Sequence, residues 1–111
     1  MQTAVSLTVD VESHGSQSDY EFAEILEVLV GELDTRNIKA TFFVNGGVIS
    51  RWENRIVELH KRGHFIGSHG WSHVPLTILG EKKSKDEINR SYDQLASLVG
   101  EKNVLGFRAP Y

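Results

Sequence analysis

Apolar and polar positions alternate from Ala4 to Val9, placing Val5, Leu7 and Val9 on one side. Alternation in a β-branched run predicts a first strand. The period then changes. Phe22, Ile25, Leu26, Leu29, Val30 and Leu33 recur at three- and four-residue steps, the stripe of a helix running to about Arg36, with Asn37 as its stop. Ser18 and Glu21 stand before it as a Ser-x-x-Glu capping box. Ala40-Thr41-Phe42-Phe43-Val44 is nearly continuous apolar sequence, as expected of a strand buried on both faces of a parallel sheet. Asn45-Gly46-Gly47 turns the chain. A second box at Ser50 and Glu53 predicts a helix with Trp52, Ile56 and Leu59 as its stripe and Gly63 in the left-handed position past its end. His64 to Ser68 gives a third strand. Val74 to Lys83 reads as loop, with at most a short turn of helix. A third box at Ser84 and Glu87 opens a helix carrying Ile88, Tyr92, Leu95 and Leu98, and Gly100 ends it. Val104-Leu105-Gly106-Phe107 is the fourth strand.

The predicted order is β-α-β-α-β-α-β, four strands and three helices. This is an α/β chain whose crossovers call for a parallel sheet. In such folds sites gather at the carboxyl ends of the strands. Asp10, Glu12, Asn45, His69, His73, Arg108 and Tyr111 all fall there by spacing alone.

Composition narrows the chemistry. With 111 residues, 40% hydrophobic and 24% charged, the chain is one small domain or a piece of a larger one. Lys+Arg 12 against Asp+Glu 15 gives a net charge of -3, and no basic block suggests nucleic acid. The count of zero cysteines excludes disulfides and thiolate sites, so a metal would have to use His and carboxylate. No run is long enough for a membrane span or a secretory leader, and a cytoplasmic chain is expected.

Ser68-His69-Gly70-Trp71-Ser72-His73 follows a strand-like run, and two histidines four apart can grip one ion. An isolated His-x3-His is more often a pair of surface histidines. Here the pair is accompanied by Asp10-Val11-Glu12 and Arg108-Ala109-Pro110-Tyr111, each after its own strand. Gly70 excludes the His-Glu-x-x-His protease motif, which needs Glu at that place. Trp71 fits either a sugar-stacking face or packing beneath the loop. His14 and Asn45 read as loop filler near a groove. His60, late in a helix, and His64, opening a strand, read as structural.

Thr8 to Glu12, Lys39 to Val44, Gly63-His64, Ser68 to His73 and Arg108 to Tyr111 together resemble the polysaccharide deacetylases. The resemblance covers essentially the whole chain. It implies the N-terminal half of a distorted (β/α) barrel, with residues 1–111 as the first part of a catalytic domain. The implied reaction is metal-dependent hydrolysis of N-acetyl groups on an amino-sugar polymer or linked sugar, by attack of metal-bound water on the amide. A divalent ion can bring the pKa of such water to about 7. The resemblance implies His69, His73 and Glu12 as ligands and Asp10 as general base. Arg108 would orient Asp10 through a charge-assisted hydrogen bond, and the backbone N–H of Tyr111 would help stabilise the oxyanion. Zinc is the default ion for this donor set, with cobalt, nickel or iron also suited.

Two positions depart from the family's pattern. Two adjacent aspartates are commoner where this chain has Asp10-Val11-Glu12, so the roles of Asp10 and Glu12 can exchange. A Ser or Thr usually follows the first histidine, where Gly70 stands; Ser72 could brace the loop instead. Domains of the family run to about twice this length, and the later half brings a histidine that protonates the leaving amine. The isolated chain is therefore expected to be incomplete, weakly active or inactive, and to self-associate through open sheet edges. Other readings are a non-catalytic metal-binding or partner module, a C–N hydrolase of small ureides, and a metal-free domain of flavodoxin type.

Overall fold

Four of the apolar runs pair into one parallel sheet in a computed structural model that describes residues 3–12 and 19–111. The strands are β1 (Thr8–Val11), β2 (Thr41–Val44), β3 (Phe65–Ser68) and β4 (Val104–Phe107). Between them lie α1 (Asp19–Thr35), α2 (Gly46–Ile49), α3 (Glu53–Lys61) and α4 (Leu76–Val99), with a single 3-10 turn at Glu101–Asn103 before β4. Strand order in space is β1-β2-β3-β4, and each adjacent pair is parallel. Every connection therefore steps the same way across the sheet. A doubly wound fold of flavodoxin type reverses its order at a switch point. A sheet growing in one direction is the start of a barrel with its helices outside.

The register explains the core. Val9 pairs with Phe42, which pairs with Ile66, and Val11 pairs with Val44 and then Ser68. This face packs under the helices: Phe42, Val44 and Ile66 are fully buried, together with Val30 of α1, Ile56 of α3 and Leu95 of α4. Full burial of one such side chain is worth about 1.5–3 kcal/mol. The alternate rows, Thr8–Thr41–Phe65 and Asp10–Phe43–Gly67, lie on the opposite face. Asp10 and Phe65 remain exposed there.

Several boundaries differ from those the sequence predicts. β1 begins at Thr8, not Ala4, because β2 offers partners only from Thr41. Val5, ahead of it, is 89% exposed. The helices number four among the described residues, since Asn45-Gly46-Gly47 opens the one-turn α2 instead of a plain turn. Asn45 caps it, its Oδ1 accepting from the Gly47 N–H at 3.1 Å. The Ser50/Glu53 box does not form: Ser50 closes α2, and α3 begins after Trp52 without a side-chain cap. Trp52 is nonetheless buried, edge-on to Phe22 at 5.0 Å. α4 starts at Leu76 and kinks at Gly80, where φ is 81° and ψ 174°. Ser84 therefore sits inside the helix, its hydroxyl donating to the Leu76 carbonyl at 3.2 Å. Ile25, expected in the α1 stripe, is 59% exposed. Tyr92, on α4, is 37% exposed, and the fully buried neighbour there is Ser91. Asn37 (φ 53°), Gly63 (φ 91°) and Gly100 (φ 95°) take the left-handed conformations that stop their helices. Ser18 of the first box and His14 lie outside the described residues.

Candidate metal centre

The site assembles where β1, β3 and β4 end. On β1 the two-residue period turns Val11 into the core at 4% exposure, while Asp10 is exposed. Glu12, one residue beyond the strand, stands two positions from Asp10 and brings its carboxylate to the histidine loop. After β3 the His69 N–H continues the parallel ladder by donating to the Val44 carbonyl at 3.0 Å. The chain then turns at Gly70 (φ 73°) and again at His73 (φ 61°). A non-glycine residue in the left-handed region is strained and persists only where its surroundings hold it.

Glu12, His69 and His73 each direct one donor atom to a common point, and the three atoms lie within 4.8 Å of one another. His69 Nε2 is 3.2 Å from Glu12 Oε2, and His73 Nε2 contacts the same oxygen. His69 Nδ1 lies 2.7 Å from the Arg108 carbonyl. A carbonyl only accepts, so Nδ1 carries the proton, and in the neutral ring Nε2 turns its lone pair toward Glu12. Two imidazole nitrogens and a carboxylate oxygen facing one point suit a divalent cation, and the Arg108 carbonyl supplies the outer hydrogen bond that fixes a metal-binding histidine. The donor set thus fits a metal.

Asp10 lies outside that cluster and is held separately. Arg108 NH1 donates to its Oδ1 at 2.8 Å, while the guanidinium sits 4.4 Å from the Phe43 ring centre. Phe43 reaches that position because residue 67 is glycine; a Cβ there would meet the ring at 2.7 Å. The Arg108 N–H donates to the Ser68 carbonyl at 2.8 Å, tying the exit of β4 to that of β3. Tyr111 is 90% exposed, its ring 5.0 Å from that of His73.

Other residues carry more of the loop than their sequence context suggests. Asn45, which reads as filler, is buried and donates through Nδ2 to the His69 carbonyl at 3.3 Å. Its place between a strand and Gly-Gly is the N-cap signal that would have flagged it. Trp71 packs on Gly46, where a Cβ would fall 2.4 Å from the indole, and Arg90 covers the ring at 3.7 Å. That packing leaves little of Trp71 as a stacking platform. Glu87 accepts from the Ser72 N–H at 3.2 Å and does not serve as a capping residue. His60 falls in the last turn of α3, and His64 is a buried support: its Nδ1 accepts from the Ala40 N–H at 3.2 Å and its Nε2 faces Asp34 at 2.9 Å. No described helix is long and apolar enough to cross a membrane.

Known proteins resemble this chain in sequence and fold. A chitin deacetylase from Pestalotiopsis sp is 34% identical over 96 residues, 84% of this chain and 32% of its own length. The structure of a family 4 carbohydrate esterase from Bacillus anthracis superposes with a TM-score of 0.75 at 30% identity, covering 95% of this chain and 47% of that one. The structure of the peptidoglycan deacetylase PdaC from Bacillus subtilis gives a TM-score of 0.80 at 26% identity, over 96% of this chain and 48% of that one. The chain thus spans less than half the length of each of these proteins. The family model for polysaccharide deacetylases matches residues 2–111. With four parallel strands in sequential order and a Glu-His-His cluster at their carboxyl ends, the chain belongs to the polysaccharide deacetylase family.

Proposed function

We propose that this chain is the metal-binding, N-terminal part of a deacetylase that hydrolyses N-acetyl groups on an amino-sugar polymer of the chitin or peptidoglycan kind. The observation that carries the proposal is the meeting of Glu12, His69 and His73 beside a separately held Asp10. Glu12, His69 and His73 would hold the ion, and zinc suits two imidazoles and a carboxylate. When bound, such an ion supplies Lewis acidity toward water and the amide carbonyl.

The chain's own residues do the rest. Asp10, outside the ligand cluster, is the general base that takes a proton from water. Arg108 orients it, and the cation stacked on Phe43 fixes the carboxylate's direction at 2.8 Å. The backbone N–H of Tyr111, whose ring lies 5.0 Å from that of His73, is assigned to the oxyanion of the tetrahedral intermediate. Expulsion of the amine needs a proton, and none of the 111 residues is assigned that role. Lack of a general acid costs on the order of 10²–10⁴ in rate, so this chain alone should release acetate slowly or not at all.

Zinc titration by calorimetry of the chain and its His73→Ala variant tests the metal assignment. One tight site, abolished by the substitution, is expected; a folded chain that takes up no zinc overturns it. Acetate release from N-acetylglucosamine oligomers by a protein of the relatives' full length tests the reaction. Persistent lack of turnover with metal bound would favour a non-catalytic module.

A further inference from the structure

We propose that Glu87 on α4 is the positioning residue of the histidine loop: its carboxylate holds the backbone at Ser72 and so sets where His73 points. The inference rests on the reading of Glu12, His69 and His73 as metal ligands.

The loop from His69 to His73 bends at Gly70 and at His73, and only the first bend uses the residue type that adopts it freely. The surroundings hold His73 at φ 61°. The bond from the Val74 N–H to Ser72 Oγ spans it, its ring meets Glu12 and Tyr111, and the backbone before it needs a hold of its own. The loop's own hydroxyls brace it only through long local bonds. Ser68 Oγ pairs with Ser91 Oγ at 2.6 Å and accepts from the Gly70 N–H at 3.4 Å, while Ser72 Oγ accepts from the Val74 N–H at 3.4 Å. Residue 70 has no side chain to contribute. A Cβ built there would stand 4.0 Å from Glu87 Oε2 and 3.5 Å from Pro110 Cγ. The carboxylate of Glu87 therefore borders the space that a side chain at residue 70 would enter.

The same carboxylate receives the Ser72 N–H at 3.2 Å, one residue before His73. A hydrogen bond to an ionised acceptor is stronger than a neutral one. Three and four residues along the same helix face, Arg90 stacks on Trp71 and Ser91 pairs with Ser68. One face of α4 thus grips the loop at Ser68, Trp71 and Ser72. Of the three contacts, only that of Glu87 holds the backbone itself, one residue before a proposed ligand.

The test compares wild type, Glu87→Ala and Glu87→Gln by zinc calorimetry and by the visible absorption of the cobalt(II)-loaded chain. Glu87→Ala should bind zinc about tenfold more weakly, the lower end of the loss seen when support to a ligand shell is removed. Its cobalt spectrum should change while the metal-free chain melts close to wild type. Glu87→Gln, which keeps an acceptor oxygen at the same reach, should restore both readouts. An Ala variant with wild-type affinity and spectrum overturns the proposal and leaves the metal centre standing. Wild type that binds no zinc overturns the metal reading and this inference with it. If Glu87→Ala does not fold, hydrogen exchange decides. The Ser72 amide should be protected in wild type and Glu87→Gln, and rapid exchange in wild type overturns the proposal.

Discussion

Val11 stands between two acids that take different partners. Its burial in the core anchors the end of β1, and the strand period places Asp10 and Glu12 to either side of it along the chain. One acid then meets Arg108 and the other meets the histidines. A comparable division of labour occurs at the far end of the sheet, where Asp34 accepts from Arg62 Nε at 2.7 Å and from His64 Nε2 at 2.9 Å. Partial burial of Asp34 works against its charge, but the hydrogen bonds from Arg62 and His64 outweigh it and hold the carboxyl below its ordinary value of about 3.8. A depressed carboxylate stabilises the fold fully above the unfolded-state pKa, and the contribution fades as pH falls through the lower native value. Asp34→Asn should therefore be less stable than wild type at neutral pH, with the gap narrowing below about pH 4. Urea unfolding across that range measures it, and a gap independent of pH would contradict the assignment.

At the scale of elements, the shortest α-helix supports the site directly. α2 is a single turn, yet its capping residue Asn45 holds the His69 carbonyl and its first residue donates to the Gly70 carbonyl at 2.9 Å. Gly46 is small because Trp71 lies against it. Gly46→Ala must push the indole outward, and overpacking of this kind costs about 1–3 kcal/mol. We expect lower thermal stability together with weaker zinc binding, read by calorimetry on the same samples. Loss of stability with unchanged affinity would show that the loop can shift without moving its histidines. The kink at Gly80 shows the same economy in α4. It lets a first turn begin right after Pro75, while the longer segment aims Glu87, Arg90 and Ser91 at the loop.

For the whole molecule, the decisive fact is that four parallel strands are laid down in order, covered by helices on one face. Among the described residues β1 and β4 each pair on one side only. Phe65 at 46% and Leu105 at 48% exposure, with Ile25 and Val28 on α1, leave apolar surface exposed as well. Unpaired edges and open apolar faces promote association. Expressed by itself, the 111-residue chain should self-associate in sedimentation velocity. A monodisperse monomer that unfolds cooperatively would show that the edges are protected.

Sequence periodicity determined the four strands, three of the four helices and the parallel sheet, because an apolar face must repeat every two residues in a strand and every three or four in a helix. The one-turn α2 and the start of α4 are too short to show a period. It also placed Asp10, Glu12, His69, His73 and Arg108 at strand ends, since that location depends only on where apolar runs stop. The capping boxes at Ser50 and Ser84 misled, because a Ser-x-x-Glu pattern is local: Ser50 closes α2, and Ser84 falls inside α4. Ser84 bonds to Leu76 across the Gly80 kink, and Glu87 serves the loop after β3. Tertiary structure alone decided which carboxylate joins the histidines, that Trp71 is covered by Arg90, and that Asn45 and Glu87 support the loop. These are contacts between elements far apart in the chain, fixed by sheet register and helix packing, and no local pattern encodes them.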